Sequence, residues 1–484
     1  MSAAEILLRQ PGRPLLFNSG LFLALFLGFY AVYLALRTRR TWRFAWVVAF
    51  SLFFYYKSSG AFVGVLAAEL LVDYAVALRL ARERELFRRR ALLALSLGVN
   101  LVLLGYFKYA NFLAGSLAGM LGRPFDPWAI ALPAGVSFFT FQGLSYTLDV
   151  YRGEIEPAAS LLDYAFFATF FPQLVAGPIV RAKSFLPQMA APPALDDEGR
   201  AAAWLLILGG LFKKAVLSDY LSLNFVDRVF DAPHLFTSLE NLLAAYGYAL
   251  QIYCDFSGYS DMAIGLALLL GFRLPENFRM PYASQSLTEF WRRWHISLSS
   301  WLRDYLYIPL GGSRKGRLRT YCNLMATMLL GGLWHGASWK FVAWGGVHGA
   351  GLAVERAAGV NADSSARSRW GRVLRRVAVF HVVCFGWIWF RAADFPAALE
   401  MLHRIAAGPE WSHGGEVLAA FPKVFGLMAL GYVLHFLPSA WEDRARGGLR
   451  RSGVWGQALA LACMAWLILQ VQGAQVQPFI YFQF

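Results

Sequence analysis

Uncharged apolar stretches of bilayer-crossing length recur from one end of this 484-residue chain to the other, with no long polar block between them. In hydrocarbon, each backbone N–H and C=O must find an internal partner, so such runs fold as helices. Charge points the same way. Asp, Glu, Lys and Arg make up 15% of the residues, against about 25% in soluble domains. Residues 1–484 therefore read as a single all-α integral-membrane domain.

The 45 Lys and Arg outnumber the 30 Asp and Glu, a net charge of +15. Such an excess first raises nucleic acid as a partner, but position argues otherwise. Clusters at 37–43, 79–90, 314–319, 367–376 and 444–451 hold 23 of the 45 cations, in short gaps between apolar runs. Cytoplasmic loops have this signature, so membrane lipid is the expected surroundings and nucleic acid is not an expected partner. Cys254, Cys322, Cys384 and Cys463 stand singly, which supports neither a disulfide framework nor a metal site.

The first run, Leu15 to Leu36, lacks charge over 22 residues and reaches about 33 Å as a helix. Its basic C-terminal flank marks a retained anchor with an external N-terminus. Two runs follow, Phe44 to Tyr56 and Ala61 to Leu78; the second carries Glu69 and Asp73, which should face other helices. Further runs are Ala91–Leu117, Trp128–Val150, Leu161–Val180, Ala201–Leu221, Leu242–Phe272, Leu324–Gly345, Val377–Phe390, Val424–Leu437 and Val454–Val471. About ten to twelve spans are expected. Pro187 to Asp197, with Pro192 and Pro193, is the most loop-like segment.

Arg273 to Asn323 has no 20-residue apolar run yet is dense in Trp, Tyr and Leu. Ser286 and Glu289 form a capping-box pattern. After them Trp291, Trp294, His295, Leu298, Trp301, Leu302 and Tyr305 recur at helical spacing, which predicts one amphipathic helix lying in the interface or entering the protein. Glu289 stands four residues before Arg293, the favourable order for an ion pair.

Ionisable groups in apolar sequence are candidates for chemistry. His335 lies in an uncharged run, with Gly331, Gly332, Gly336 and Ala337 leaving room for a ligand or another backbone. A structural hydrogen bond to a neighbouring helix is the alternative. His295 lies 40 residues earlier, next to Trp294, as a second candidate or an interfacial anchor. Two imidazoles converging on one site can move a proton between a hydroxyl and a leaving group. Asp255 and Asp261 either satisfy a helix break or belong to a site. His348, His381 and His435 read as packing or capping residues. There is no GxSxG, HExxH, Walker A or GxGxxG signature, so hydrolase, zinc-protease and nucleotide-binding readings lack support.

Six segments in order carry a resemblance: Pro133–Gly153 (PAGVSFFTFQGLSYTLDVYRG), Phe171–Arg181 (FPQLVAGPIVR), Tyr253–Gly265 (YCDFSGYSDMAIG), Trp291–Gly312 (WRRWHISLSSWLRDYLYIPLGG), Gly331–Gly349 (GGLWHGASWKFVAWGGVHG) and Pro478–Phe484 (PFIYFQF). Together they resemble the bacterial membrane-bound O-acyltransferases, above all the membrane subunit of alginate O-acetylation. The resemblance implies a ring of about 10–12 transmembrane helices, with re-entrant or interfacial helices around a central tunnel. It implies that His335 is the essential histidine and His295 the supporting one; Asp255, Trp334 and Glu289 are further tunnel candidates. It implies transfer of an acetyl group from cytoplasmic acetyl-CoA, a substrate and not a bound cofactor, to an extracytoplasmic polysaccharide. Transfer would be direct or through a periplasmic acetyltransferase, in a bacterial inner membrane. Arg314, Lys315, Arg317 and Arg319 either contact the CoA phosphates or serve topology alone. The rival reading is a polytopic transporter or flippase for a lipid-linked glycan, whose histidines relay protons or line a cavity.

Overall fold

Helices form along the apolar runs, and no strand occurs among the described residues of this computed structural model. The structure describes residues 8–10, 14–190, 195–360, 368–408, 411–471 and 479–480. Pro192, Pro193, Arg367, Pro478 and Tyr481–Phe484, named above, lie outside the described residues. The chain folds as two compact units, Met1–Ala203 with Met262–Pro275, and Trp204–Asp261 with Glu276–Phe482.

In the first unit, Ser19 caps α1 (Gly20–Ala35), its Oγ accepting from Phe22 N at 3.2 Å. Helices α2 (Arg40–Ser59) and α3 (Val63–Arg82) meet at Gly60, whose φ of +62° suits glycine. Then come α4 (Leu86–Leu104), a π-helical turn at Gly105–Tyr109, α5 (Ala110–Met120), α6 (Val136–Arg152) and α7 (Leu161–Thr169). Phe171 is the centre of an aromatic core, with Phe50 at 5.2 Å, Phe29 at 5.6 Å and Phe54 at 6.0 Å between ring centroids. Glu69 and Asp73 face neighbouring helices, as expected. Ser96 Oγ and Asn100 Nδ2 of α4 donate to Asp73 Oδ1 at 2.7 and 2.9 Å.

The second unit holds most of α8 (Asp197–Leu211), which runs through π-helical turns to Asp231, and most of α9 (Ser238–Leu269). It continues with α10 (Leu287–Arg293), α11 (Ile296–Leu302), α12 (Arg317–His335), α13 (Trp339–Ala357), α14 (Arg369–Arg391), α15 (Phe395–Ala406), α16 (Pro422–His435) and α17 (Gly453–Val471). On α17, Trp455, Leu459, Trp466 and Leu469 are exposed, the pattern of a helix facing lipid.

Five helical stretches among the described residues are long and apolar enough to cross a membrane, or six if the pair Trp411–Ala420 and Pro422–His435, bent by 97°, is one span. The runs Phe44–Tyr56 and Ala61–Leu78 lie in one 43-residue stretch, Arg40–Arg82. Leu161–Val180 breaks at Phe170, and Leu324–Gly345 breaks after His335. One expectation needs correction: the amphipathic helix predicted after Ser286 is two helices, α10 and α11. Its apolar spacing is real, but His295 between them takes the left-handed conformation at φ +42°.

Candidate active site

Glycines bring α12 and α13 together and so place His335. A Cβ on Gly332 would meet the carbonyl oxygen of Phe341, and one on Gly345 the carbonyl oxygen of Met328. Backbones therefore touch where side chains would normally keep helices 8–10 Å apart. Gly336 then turns extended and ends α12, leaving His335 as its last residue, buried at 3% exposure. The imidazole stands edge-on to Trp334, Trp344 and Phe390, with centroids at 5.1, 5.0 and 5.3 Å.

His295 reaches the same place from the break between α10 and α11. Its ring centroid lies 6.5 Å from that of His335, and Trp334 adjoins both, 5.8 Å from His295. Phe256 of α9 packs edge-on against it at 4.5 Å. A non-glycine residue at positive φ is strained by roughly 1–2 kcal/mol, and the holding group is Asn277. The backbone carbonyl of Asn277 accepts from Ile296 N at 2.9 Å. Its Oδ1 takes the Ser297 N–H at 3.2 Å and the Ser297 hydroxyl at 2.9 Å, and lies 3.1 Å from His295 Nδ1.

The Ser297 amide can only donate, so the Asn277 atom facing it is oxygen, and His295 Nδ1 must carry the proton. Asn277 Nδ2 agrees, donating to Ser260 Oγ at 3.1 Å. His295 Nε2 is left with a bare lone pair. It is buried and has no hydrogen-bond partner among the described residues. Burial pushes the imidazole down to about 3, so it is neutral at physiological pH. The site thus offers a fixed, uncharged acceptor beside a second imidazole, a setting for steering a hydroxyl proton.

The other predicted residues lie as follows. Trp334 stands beside both histidines. Asp255 turns away, pairing with Lys214, which also binds Asp219 at 2.8 Å, and accepting from Ile480 N at 3.0 Å. Asp261 pairs with Lys213. Glu289 accepts from Gln285 N at 2.8 Å and pairs with Arg293 at 2.7 Å, completing the cap and ion pair read from sequence. Arg314, Lys315, Arg317 and Arg319 are exposed at the start of α12, about 27 Å along its axis from His335. His381 bonds Val377 O at 2.7 Å and Tyr246 Oη at 2.8 Å, and His435 Nε2 accepts from Tyr282 N at 3.2 Å. His348 stands edge-on to Trp291 and Trp344 at 5.1 and 5.0 Å. His348 leaves both ring nitrogens, and His435 its Nδ1, buried without a hydrogen-bond partner among the described residues. Sequence reading missed Asn277, since nothing in periodicity marks a loop asparagine 18 residues from its partner.

Comparison with known proteins meets this geometry. Residues 129–388 match the membrane-bound O-acyltransferase family (MBOAT), a stretch that includes both histidines. The chain is 39% identical to the probable alginate O-acetylase AlgI of Pseudomonas putida, over 97% of this chain and 100% of the relative. It is 36% identical to the peptidoglycan O-acetyltransferase of Helicobacter pylori, over 80% and 79%. It is 29% identical to the teichoic acid D-alanyltransferase of Bacillus subtilis, over 54% and 69%. The chain belongs to the membrane-bound O-acyltransferase family and is a multi-pass membrane O-acyltransferase.

Proposed function

We propose that the chain moves an acetyl group from cytoplasmic acetyl-CoA to a hydroxyl of an extracytoplasmic polysaccharide, directly or through a periplasmic acetyltransferase partner, at a bacterial cytoplasmic membrane. The names of its relatives support an acetyl donor and a cell-surface polymer as acceptor. The family match crosses both compact units, which supports reading residues 1–484 as one functional domain. Family membership favours this over the transporter reading. The observation that carries the mechanism is the pair of buried imidazoles with centroids 6.5 Å apart, one with its lone pair fixed.

In this mechanism the acceptor hydroxyl first donates to His295 Nε2, which holds its oxygen in place. An imidazole so hard to protonate is a poor base, so the O–H then turns from His295 to His335, which takes the proton as the oxygen attacks. The hydroxyl oxygen forms a bond to the thioester carbonyl carbon. The tetrahedral adduct collapses, the C–S bond breaks, and the CoA thiolate leaves and takes the proton from His335. Arg314, Lys315, Arg317 and Arg319, at a helix N-terminus, hold the CoA phosphates.

Purified protein given labelled acetyl-CoA and a polysaccharide acceptor should release free CoA and label the acceptor. His335→Ala should abolish both while leaving yield unchanged. Activity retained in that variant would sink the assignment. Replacing the four cations with Gln should raise the donor KM; an unchanged KM would remove them from donor binding.

A further inference from the structure

The turn between α3 and α4 lines an open cavity of about 530 Å3, in the compact unit that does not hold the histidine pair. Arg79 and Arg82 line it from the end of α3; Arg88, Ala91, Leu92 and Leu95 line it from the start of α4. The four α4 positions fall at spacings of three, four and seven, so they form one helix face. That face is cationic at Arg88 and apolar below, with Leu95 about 10 Å further along the axis. Leu95 is 53% exposed. The cavity lies at the ends of two bilayer-length helices, α3 of 20 residues and α4 of 19, where lipid headgroups sit.

Its charge is available. Arg79 and Arg82 have no carboxylate partner among the described residues, whereas Arg88 pairs with Glu85 at 2.7 Å and lies 3.9 Å from Glu83. Glu83, the one acid in the lining, is occupied, its Oε1 accepting from the backbone N–H groups of Arg84 and Glu85 at 2.9 and 3.0 Å. Arg89 braces the turn, donating to Leu80 O and Tyr151 O at 2.7 Å and to Glu83 O at 3.1 Å. The two open guanidiniums are thus carried on a fixed turn.

We propose that this cavity binds the phosphate headgroup of an anionic phospholipid. Arg79 and Arg82 grip the phosphate, Arg88 closes the rim, and an acyl chain runs down Ala91, Leu92 and Leu95. A free phosphate or a nucleotide would match the guanidiniums and leave the apolar wall unused; a neutral lipid would match the wall and leave the charge unused. Basic pockets between membrane helices favour anionic headgroups for this reason.

The test uses the full-length purified protein in neutral detergent, with added dioleoyl phosphatidylglycerol or dioleoyl phosphatidylcholine. Native mass spectrometry counts retained lipid, and the thermal midpoint reports linkage. Phosphatidylglycerol should be retained preferentially and raise the midpoint more than phosphatidylcholine. The variant R79Q/R82Q should bind it about thirtyfold more weakly, each open guanidinium contributing about fivefold. The single variant R82Q and a salt titration of the wild type give the same reading should the double variant fold poorly; salt should erode the difference between the lipids. Equal retention of the two lipids, an unchanged preference in the variants, or an equal midpoint shift from inorganic phosphate or CoA would each overturn the proposal.

Discussion

Replacing Asn277 tests the reasoning about the site most directly, because its carboxamide meets no substrate in the proposed mechanism and acts only through His295. In Asn277→Leu the side chain keeps its approximate volume, but the His295 Nδ1–H and the Ser297 N–H lose their acceptor inside the protein. Each buried, unsatisfied donor costs about 1–3 kcal/mol, so about 2–6 kcal/mol of stability is expected to go. The imidazole is then free to change tautomer, and kcat of the folded fraction should fall about a hundredfold, the lower end of what proton management contributes. Asn277→Asp keeps the acceptor in place and adds a charge. A carboxylate at hydrogen-bond distance raises an imidazole pKa by about 1–3 units, from about 3 to roughly 4–6. Protonation occupies Nε2, so activity in this variant should drop as pH falls through that window, a limb the wild-type His295 does not contribute. The assay is CoA release from labelled acetyl-CoA between about pH 3.5 and 8, with kcat and donor KM separated. A folded Asn277→Leu enzyme with kcat within threefold of wild type, or an Asn277→Asp profile superimposable on wild type, would refute the argument.

Further outcomes follow from the same contacts. The depressed His295 pKa couples stability to pH: the unfolded chain takes a proton near 6.5 and the native site does not, so this contribution is complete above pH 6.5 and is lost as pH falls toward 3. The loss is about 2 kcal/mol at pH 5, and His295→Gln should flatten that part of the profile in thermal unfolding. Gly345→Ala drives a methyl group toward the Met328 carbonyl and should destabilise by about 1–3 kcal/mol, read from the unfolding midpoint in detergent. Asp255→Ala leaves Lys214 paired with Asp219 and the Ile480 N–H without its acceptor, and should cost about 1–3 kcal/mol, seen as lower yield and midpoint; kcat per folded molecule should stay near wild type.

The helical class was legible because length and apolarity decide it, and the histidines because ionisable groups are rare in such sequence. The span count was less legible: an apolar run does not say whether the backbone continues through Phe170 or Gly336, since those breaks are set by packing against other elements. The same limit hid the division of α10 from α11. Spacing from Trp291 to Tyr305 fits a single helix, and only long-range hydrogen bonds from the Asn277 segment to Ile296 and Ser297 break it at His295. Glu289 and Arg293 met as predicted because their partners are four residues away; Asp255 did not join the site because Lys214, 41 residues distant, claims it.

Backbone angle and tautomer separate the histidines better than burial does. His295, His335, His348 and His435 are all buried, so solvent exposure ranks none of them above the others. His435 accepts a backbone N–H and leaves Nδ1 without a partner among the described residues, and His348, edge-on to indole rings, leaves both ring nitrogens so, which means an unmet nitrogen alone singles out none of them. His295 differs in two linked respects. It holds a strained backbone angle, and a carboxamide fixes its tautomer so that its unmet nitrogen is an acceptor. A core selected for stability alone would relax the angle or supply a donor, either of which gains a kcal/mol or more. Keeping strain and an unmet acceptor 6.5 Å from a second buried imidazole makes sense when a substrate hydroxyl supplies the missing donor.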